Sequence, residues 1–388
     1  MLADFADSRR LNIRENPAKS AGHIYISMQK FFVDEDITKA STIDSEFYTS
    51  EECFQLSKER IFTKTWQFIA DTDEMRLSGQ LVPLTILPGF LDEPVLLVRD
   101  KDDSLNCISN VCTHRGNILV EHSCTETQIR CRYHGRRFEL SGKFKQMPEF
   151  ETVQNFPSKK DDLAKVPFGI WEKLIFASIA PEIKLDDAIG EMKKRLSFLP
   201  INQYKLEPTR SRDYLVKAHW ALYCENYLEG FHIPFVHNDL NATIDYGTYT
   251  TELYRYSSLQ LALSKGGENV FDLPKDSPDY GKQVAAYYYW IFPNIMFNFY
   301  PWGLSVNIIK PMGTQLTKVS FLTYVYDESK LDQGAGNMLD KVEREDEAIV
   351  ENVQKGVRSS FYSSGRYSPT RETGTHHFHR LLCEFMNK

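Results

Sequence analysis

The chain has 388 residues, a formal net charge of −7 and 13% aromatic residues, with 25 Phe and 20 Tyr. That length allows two domains, and the aromatic content suits a large core or an aromatic-lined pocket. There is no basic stripe to bind nucleic acid, and no run of about 18 apolar residues to span a membrane.

Met1 to Ser20 mixes Arg9, Arg10, Arg14 and Lys19 with Asp4, Asp7 and Glu15 and lacks an apolar stretch. Neither a secretory signal nor an organelle transit peptide is expected. Residues 1–42 read as an extension, part of it ordered against a neighbouring subunit. Thr49-Ser50-Glu51-Glu52 predicts a capped helix start, followed by Phe54, Leu56, Ile61, Phe62 and Trp66. From Leu81 to Val111 the pattern changes to short strands. Val95 to Arg99 is one, and Asp100-Lys101-Asp102-Asp103 is the turn after it.

Cys112-Thr113-His114 and Cys131-Arg132-Tyr133-His134 come next, with sixteen residues between the two groups. Cys-x-His followed by Cys-x-x-His is the donor pattern of a Rieske [2Fe–2S] centre, in which two thiolates hold one iron and two neutral imidazoles the other. Replacing two anionic thiolates by imidazoles makes the reduced form easier to reach, so the centre accepts one electron at moderate potential. Gly116 and Gly135 stand at or near the ends of these groups, where loops must close tightly over a cluster. A structural zinc site also uses two Cys and two His. Its usual spacing groups like with like, whereas each pair here is mixed. The other cysteines, Cys53, Cys107, Cys124, Cys224 and Cys383, show no framework spacing. They read as free thiols in a reducing, cytoplasmic setting.

Arg137 to Leu140, the turn Ser141-Gly142 and the strands before them make a small β domain ending near Trp171 to Ala180. The predicted boundaries are 43–180 for this domain with its preceding helix, and 181–388 for a second domain. Lys184 to Leu199 reads as a helix. Tyr214 to Val216, Val284 to Phe292, Ile295 to Tyr300, Leu304 to Ile309 and Val319 to Val325 read as an antiparallel meander. Asn337 to Phe361, after Gln333-Gly334-Ala335-Gly336, reads as a long helix. The fold class expected is α+β.

Between the first of these strands and the rest lies Glu229-Gly230-Phe231-His232-Ile233-Pro234-Phe235-Val236-His237. A spacing of five on an unbroken helix would turn the two imidazoles about 140° apart. Pro234 disfavours an unbroken helix and can swing His237 back toward His232. Two histidines with one carboxylate and open positions make the facial triad of non-haem Fe(II) oxygenases. Leu339, Val342, Ile349, Val350, Val353 and Val357 form an apolar stripe on the C-terminal helix, with Asp346 in its middle. An aspartate there is costly unless it is paired or binds a metal. Asp346 is therefore chosen over Glu343, Glu345 and Glu347, which the stripe turns away from its centre. Burial in an ion pair is the alternative. Glu229 shares a helix face with His232 and can accept its second N–H. It can also face a cluster histidine, or simply be a solvated residue.

Taken together, Cys-Thr-His-Arg-Gly at 112–116, Cys-Arg-Tyr-His-Gly at 131–135, the Glu225 to His237 segment and Glu345 to Gln354 resemble the α-subunits of Rieske non-haem iron oxygenases. The likeness covers about residues 45–388 and is most like the choline, carnitine and glycine-betaine monooxygenase branch. It implies an all-β Rieske domain followed by a helix-grip (START-like) catalytic domain, an antiparallel sheet wrapped on a long C-terminal helix. It implies Cys112, His114, Cys131 and His134 on the cluster, His232, His237 and Asp346 on a mononuclear Fe(II), and Glu229 as the bridging carboxylate. Ring-hydroxylating dioxygenases usually carry Asp at that last position, whereas the quaternary-amine branch carries Glu. It also implies a homotrimer in which one subunit's cluster feeds its neighbour's iron through His134 and Glu229. The chain departs from many relatives at His219-Trp220-Ala221, where they have Asn-Trp-Lys.

No flavin or nicotinamide fingerprint is present, so a separate NAD(P)H-dependent reductase is expected to supply electrons. The expected reaction uses O2 to hydroxylate or N-demethylate a small organic substrate. Tyr287 to Trp290 with Phe297, Phe299, Tyr300 and Trp302 could line a pocket for a quaternary amine. An aromatic ring is the alternative substrate. A pure Rieske electron carrier is the rival class, set aside because His232, His237 and Asp346 are intact. His376-His377-Phe378-His379 is expected to pack rather than bind metal.

Overall fold

Ser50 begins the first well-formed helix as its sequence requires. Its backbone stays extended while its hydroxyl accepts from Cys53 N at 3.3 Å, the N-cap arrangement. The computed structural model describes residues 30–237, 245–266, 269–331 and 339–388. Residues 1–29 of the expected extension, the turn at 333–336 and the start of the C-terminal helix at 337 fall outside them.

The first part of the chain carries α1 (Glu46–Thr49), α2 (Glu51–Ser57) and ten strands. These are β1 (Gln67–Asp71), β2 (Gln80–Ile86), β3 (Glu93–Arg99), β4 (Leu105–Ser109), β5 (Cys124–Thr125), β6 (Ile129–Arg130), β7 (Arg137–Phe138), β8 (Phe144–Gln146), β9 (Phe168–Trp171) and β10 (Leu174–Ala177). They form three antiparallel sheets ordered β4-β3-β2-β5, β6-β7-β8 and β1-β10-β9. Leu81, Leu96, Val98, Ile108, Ile129 and Phe138 fill the core between the first two sheets, and Cys112 and Cys131 belong to the same cluster.

The second part adds α3 (Leu185–Arg195), β11 (Lys205–Leu206), β12 (Arg212–Val216), α4 (Trp220–Tyr227) and α5 (Ile233–Val236). It continues with β13 (Thr250–Leu253), β14 (Ser257–Leu263), β15 (Val284–Ile291), β16 (Ile295–Tyr300), β17 (Gly303–Gly313) and β18 (Leu316–Val325). α6 (Leu339–Gly356) and α7 (Thr373–Met386) follow. One eight-stranded antiparallel sheet runs β11-β18-β17-β16-β15-β14-β13, with β12 also paired to β18. The predicted meander is all there. β13 and β14 are additional strands. In β14, Leu259, Leu261 and Leu263 alternate at strand spacing, and Ser257, Ser258 and Gln260 are buried in the sheet with them.

Strand alternation gives the large sheet two different faces. Phe297 and Phe299 face β1-β10-β9, with Phe68–Phe297 and Trp171–Phe299 ring centroids 6.4 and 6.2 Å apart. Tyr324 Oη donates to Asp71 Oδ2 at 2.9 Å across the same junction. Trp290 and Phe292 face α7, at 5.2 Å from Phe378 and 5.0 Å from Phe385. α4 is wedged beside them. Trp220 is fully buried and meets Phe378 at 5.9 Å.

His219 gives the unusual sequence before α4 a structural purpose. Its Nδ1 accepts from Ala221 N at 3.3 Å, capping the helix, and its own N–H donates to Gln354 Oε1 of α6 at 2.7 Å. Burial holds its pKa down at about 3, so the ring stays neutral. α7 approaches α4 closely because residue 374 is glycine. A Cβ there would lie 2.2 Å from the Leu228 carbonyl oxygen.

The C-terminal histidines pack as expected. His376 Nε2 lies 2.7 Å from the Asp34 carbonyl, and His379 contacts Tyr367 and Tyr48 hydroxyls at 2.6 and 3.3 Å. The stretch from Phe31 to Tyr48 thus lies on α7 of its own chain, with Ala40, Ile43 and Phe47 buried.

Candidate functional site

Two loops carry the first group of donors, and their backbones are wired alike. Cys112 N donates to Asn117 O at 2.8 Å and Gly116 N to Cys112 O at 3.0 Å. Cys131 N donates to Arg136 O at 2.8 Å and Gly135 N to Cys131 O at 3.0 Å. Gly116 and Gly135 have φ of +71° and +76°, the left-handed region that costs other residues about 1 kcal/mol or more. The repeat places each cysteine at the inner start of its loop, 2% exposed. His114 and His134 lie at the outer ends with ring centroids 4.8 Å apart. Arg136 locks the loops from beneath. It stacks on Phe144 at 4.8 Å and pairs with Asp161 at 2.7 Å, and the Asp161 carbonyl also accepts from Thr113 Oγ1 at 2.8 Å.

This arrangement fits a [2Fe–2S] group. The Cys112 thiol adjoins that of Cys131, and burial pushes its pKa up, so a thiolate there needs a cation to hold it. All seven cysteines are free. His134 Nδ1 is buried with no hydrogen-bond partner among the described residues. Burial first, then the neighbouring His134 and Arg136, lowers the His114 pKa and favours the neutral imidazole that ligates metal. Asn117 Nδ2 lies 3.7 Å from Cys131 Sγ, an outer hydrogen bond of the kind that tunes such clusters.

The second group forms where α4 ends. Glu229 lies in the loop after α4 rather than on a shared helix face. Its carboxylate accepts from the backbone N–H groups of Phe231 and His232, and Oε1 stands 2.7 Å from His232 Nδ1. α5 is a single turn between His232 and His237. Pro234 sits in its first turn, where a missing N–H costs nothing. Pro234 therefore starts a short helix instead of breaking a long one. The two rings end 5.1 Å apart at 79°.

α6 supplies the third donor. Asp346 Oδ1 lies 2.9 Å from His237 Nε2 and 3.5 Å from His232 Nε2. One donor atom from each of the three residues falls within 4.8 Å of the others. Asn226 Nδ2 donates to Asp346 Oδ1 at 2.7 Å and fixes its rotamer. Glu345, expected to turn away, instead places Oε2 2.8 Å from His237 Nδ1. Each imidazole is thus held at Nδ1 by a carboxylate and turns Nε2 toward Asp346, the outer arrangement that orients metal-bound histidines. Burial disfavours the charged form of His237, but Asp346 and Glu345 outweigh it and raise its pKa. A divalent cation answers the same excess of negative charge, so the residues fit a mononuclear iron.

Glu343 is a further correction. It is 4% exposed, and Tyr223 Oη donates to its Oε2 at 2.6 Å. The buried column of α6 is Glu343, Val350, Gln354 and Val357, with Asp346 half-buried beside it, while Ile349 and Val353 are about 40% exposed. Burial, reinforced by the charge of Asp346, pushes the Glu343 pKa well above the carboxylate range.

A cavity of about 850 Å³, counting its mouth, opens beside the triad. Tyr223, Tyr227, Tyr249, Tyr288 and Tyr300 line it. Of the aromatic residues expected there, only Tyr288 and Tyr300 line it. Tyr287, Tyr289, Phe297 and Phe299 fall on the opposite face of the sheet by strand alternation, and Trp290 packs on α7. A polar row crosses the cavity floor from strand to strand: Gln260, Tyr288, Asn298 and Ser305 are successive register partners. No helix among the described residues is long and apolar enough to cross a membrane.

Known proteins share this organisation. Residues 65–157 match the Rieske [2Fe-2S] domain and residues 202–388 the ring hydroxylating alpha subunit catalytic domain. A chloroplastic choline monooxygenase of Arabidopsis thaliana is 29% identical over 366 residues, 89% of this chain and 83% of the relative. The carnitine monooxygenase oxygenase subunit of Escherichia coli (strain K12) is 28% identical over 367 residues, 89% and 94% of the two chains. Among solved structures, a quaternary ammonium Rieske monooxygenase bound to L-carnitine superposes with a TM-score of 0.70 at 22% identity, over 89% of this chain and 96% of the other. Naphthalene 1,2-dioxygenase with indole bound gives a TM-score of 0.70 at 18% identity, over 90% and 92%. At these identities the two superpositions show the fold.

Proposed function

For a chain that belongs to the Rieske non-haem iron oxygenase α-subunits, which are terminal oxygenase components, we propose a quaternary amine or similar N-methyl compound as substrate. The observation that carries this reading is the ring of five tyrosines beside His232, His237 and Asp346. Tyrosine faces attract an alkylammonium cation and do not demand a hydrogen-bonding group from it. The choline and carnitine monooxygenases among the relatives point the same way.

Cys112, His114, Cys131 and His134 would hold the [2Fe–2S] cluster, and His232, His237 and Asp346 the mononuclear iron. When bound, these two groups supply single electrons and the reduction of dioxygen that puts oxygen into substrate. The chain supplies orientation. Glu229 and Glu345 fix the two imidazoles through Nδ1, and Asn226 fixes Asp346. The tyrosines hold the substrate methyl groups beside the triad and exclude water.

Glu229 would link His232 to the His134 edge of a second copy in a homotrimer. Phe231 and Phe235 flank it, 41% and 78% exposed, and Tyr133 beside His134 is 56% exposed. Aromatic surface of this kind is what a subunit contact covers. Residues 43–180 form the cluster-bearing domain in this reading and 181–388 the catalytic domain. A separate NAD(P)H-dependent reductase supplies electrons, and the free thiols support a cytoplasmic setting.

Oxygen uptake with a surrogate reductase tests the substrate. Trimethylammonium compounds should stimulate uptake with formaldehyde or aldehyde release. Uptake stimulated only by aromatic hydrocarbons, with ring hydroxylation, would replace the amine by the aromatic reading.

A further inference from the structure

The chain's own charges at this cavity narrow the substrate further. Glu343 projects into it from α6, 4% exposed, and one of its oxygens is committed to Tyr223. The other, Oε1, is buried with no hydrogen-bond partner among the described residues. A buried carboxyl oxygen left in this state is costly unless something enters to meet it. The residues around it are the tyrosines and the neutral Asn226, Gln260, Asn298, Ser305 and Asn307.

No lysine or arginine lines the cavity among the described residues. Arg344, next in sequence, has a side chain 70% exposed and pairs with Asp340 at 3.1 Å instead. Apart from the tyrosines and the two histidines, the ionisable side chains at the site among the described residues are carboxyls: Glu229, Glu343 and Asp346 on the wall, with Glu345 behind His237.

We propose that Glu343 is the specificity-determining counter-ion of the cavity, and that the substrate is a small alkylammonium cation carrying no carboxylate. This rests on the amine reading above and goes a step past it. Relatives named for choline and for carnitine are about equally similar in sequence, 29% and 28%, so identity alone does not choose between an alcohol and a zwitterion. The local charges do. Burial favours the neutral form of Glu343 while no cation is present; an ammonium headgroup among the tyrosines favours the ionised form and completes its pairing. A second carboxylate on the ligand would enter the same low-dielectric space with no cationic side chain to receive it.

The test is calorimetric binding to the iron-loaded protein, with choline, L-carnitine and the neutral choline isostere 3,3-dimethylbutan-1-ol as probes. Choline should bind on the order of tenfold tighter than either of the other two. In Glu343→Gln the choline affinity should fall on the order of tenfold while the isostere stays within about twofold, because Gln keeps the shape but cannot become the anion that the ammonium favours. Iron content of the variant, checked by metal analysis, keeps this loss apart from loss of the triad. Carnitine binding as well as choline keeps the amine reading and overturns the inference, and so does unchanged choline binding by Glu343→Gln. Binding of none of the three overturns both. If the variant does not fold, the ranking of the three probes on the parent protein still decides.

Discussion

Cys112, His114, Cys131 and His134 come from two neighbouring loops whose backbone hydrogen bonds repeat one another. His232 and His237 flank one helical turn, and Asp346 reaches them only after six further strands of the large sheet have been laid down. The loop pair is held by local wiring and by Arg136 beneath it. The triad is held by carboxylates and an amide that belong to other elements: Glu229 in a loop, Glu345 on α6, Asn226 on α4. A site of the first kind is specified by spacing. A site of the second kind is specified by how helices pack, so its outer residues matter nearly as much as its donors.

If the two sites are independent in this way, Asp346→Ala should abolish turnover and lower iron from about three to about two per chain, with the Rieske electron paramagnetic resonance signal intact. Cys131→Ser should do the converse, removing that signal while sparing the mononuclear iron. Loss of both metals in either variant breaks the comparison. Glu229→Gln should leave both sites metallated yet slow turnover by about two orders of magnitude or more, with the cluster held reduced. Rapid-mixing measurement of cluster reoxidation, with substrate and oxygen present, checks it, and reoxidation near the parental rate would falsify the linking role.

Glu345→Ala should weaken iron binding about 10–100-fold by competition with a chelator, and Glu345→Gln, which keeps an acceptor for His237, should recover part of that. The expected change at the loops is smaller. In Gly135→Ala the new Cβ meets Pro148 at 3.6 Å and Arg130 at 4.0 Å, both ordinary contacts, so the cost is the positive φ, about 1 kcal/mol, and thermal unfolding should begin only a few degrees lower. A drop as large as that of a cluster-ligand variant would mean the loop conformation and the cluster are inseparable.

The same contrast decides what could be read from the sequence. The four loop donors are legible because the chemistry lies within one short stretch and glycine marks each turn. Asp346 is legible because an aspartate amid apolar residues is anomalous. The helix face was harder. Hydrophobicity points Ile349 and Val353 inward, but both are exposed, while Glu343 and Gln354 are buried. Their partners, Tyr223 and the N–H of His219, lie more than a hundred residues away in sequence, and nothing near α6 announces them. Glu345 was misplaced for the same reason. Leu259, Leu261 and Leu263 do mark β14 as a strand; what stays hidden in the sequence is the burial of Gln260, which the polar cavity floor explains.

The close approach of Gly374 to the Leu228 carbonyl bears on how the protein is made. The ribosome delivers the loop donors early, and their sheets can close on one another while the rest is still being synthesised. The loop holding Glu229 and His232 gains its backstop only when α7 arrives, and its third donor only when α6 does. Cluster insertion can therefore begin on a nascent chain, whereas the mononuclear iron has no finished site until synthesis has passed residue 374.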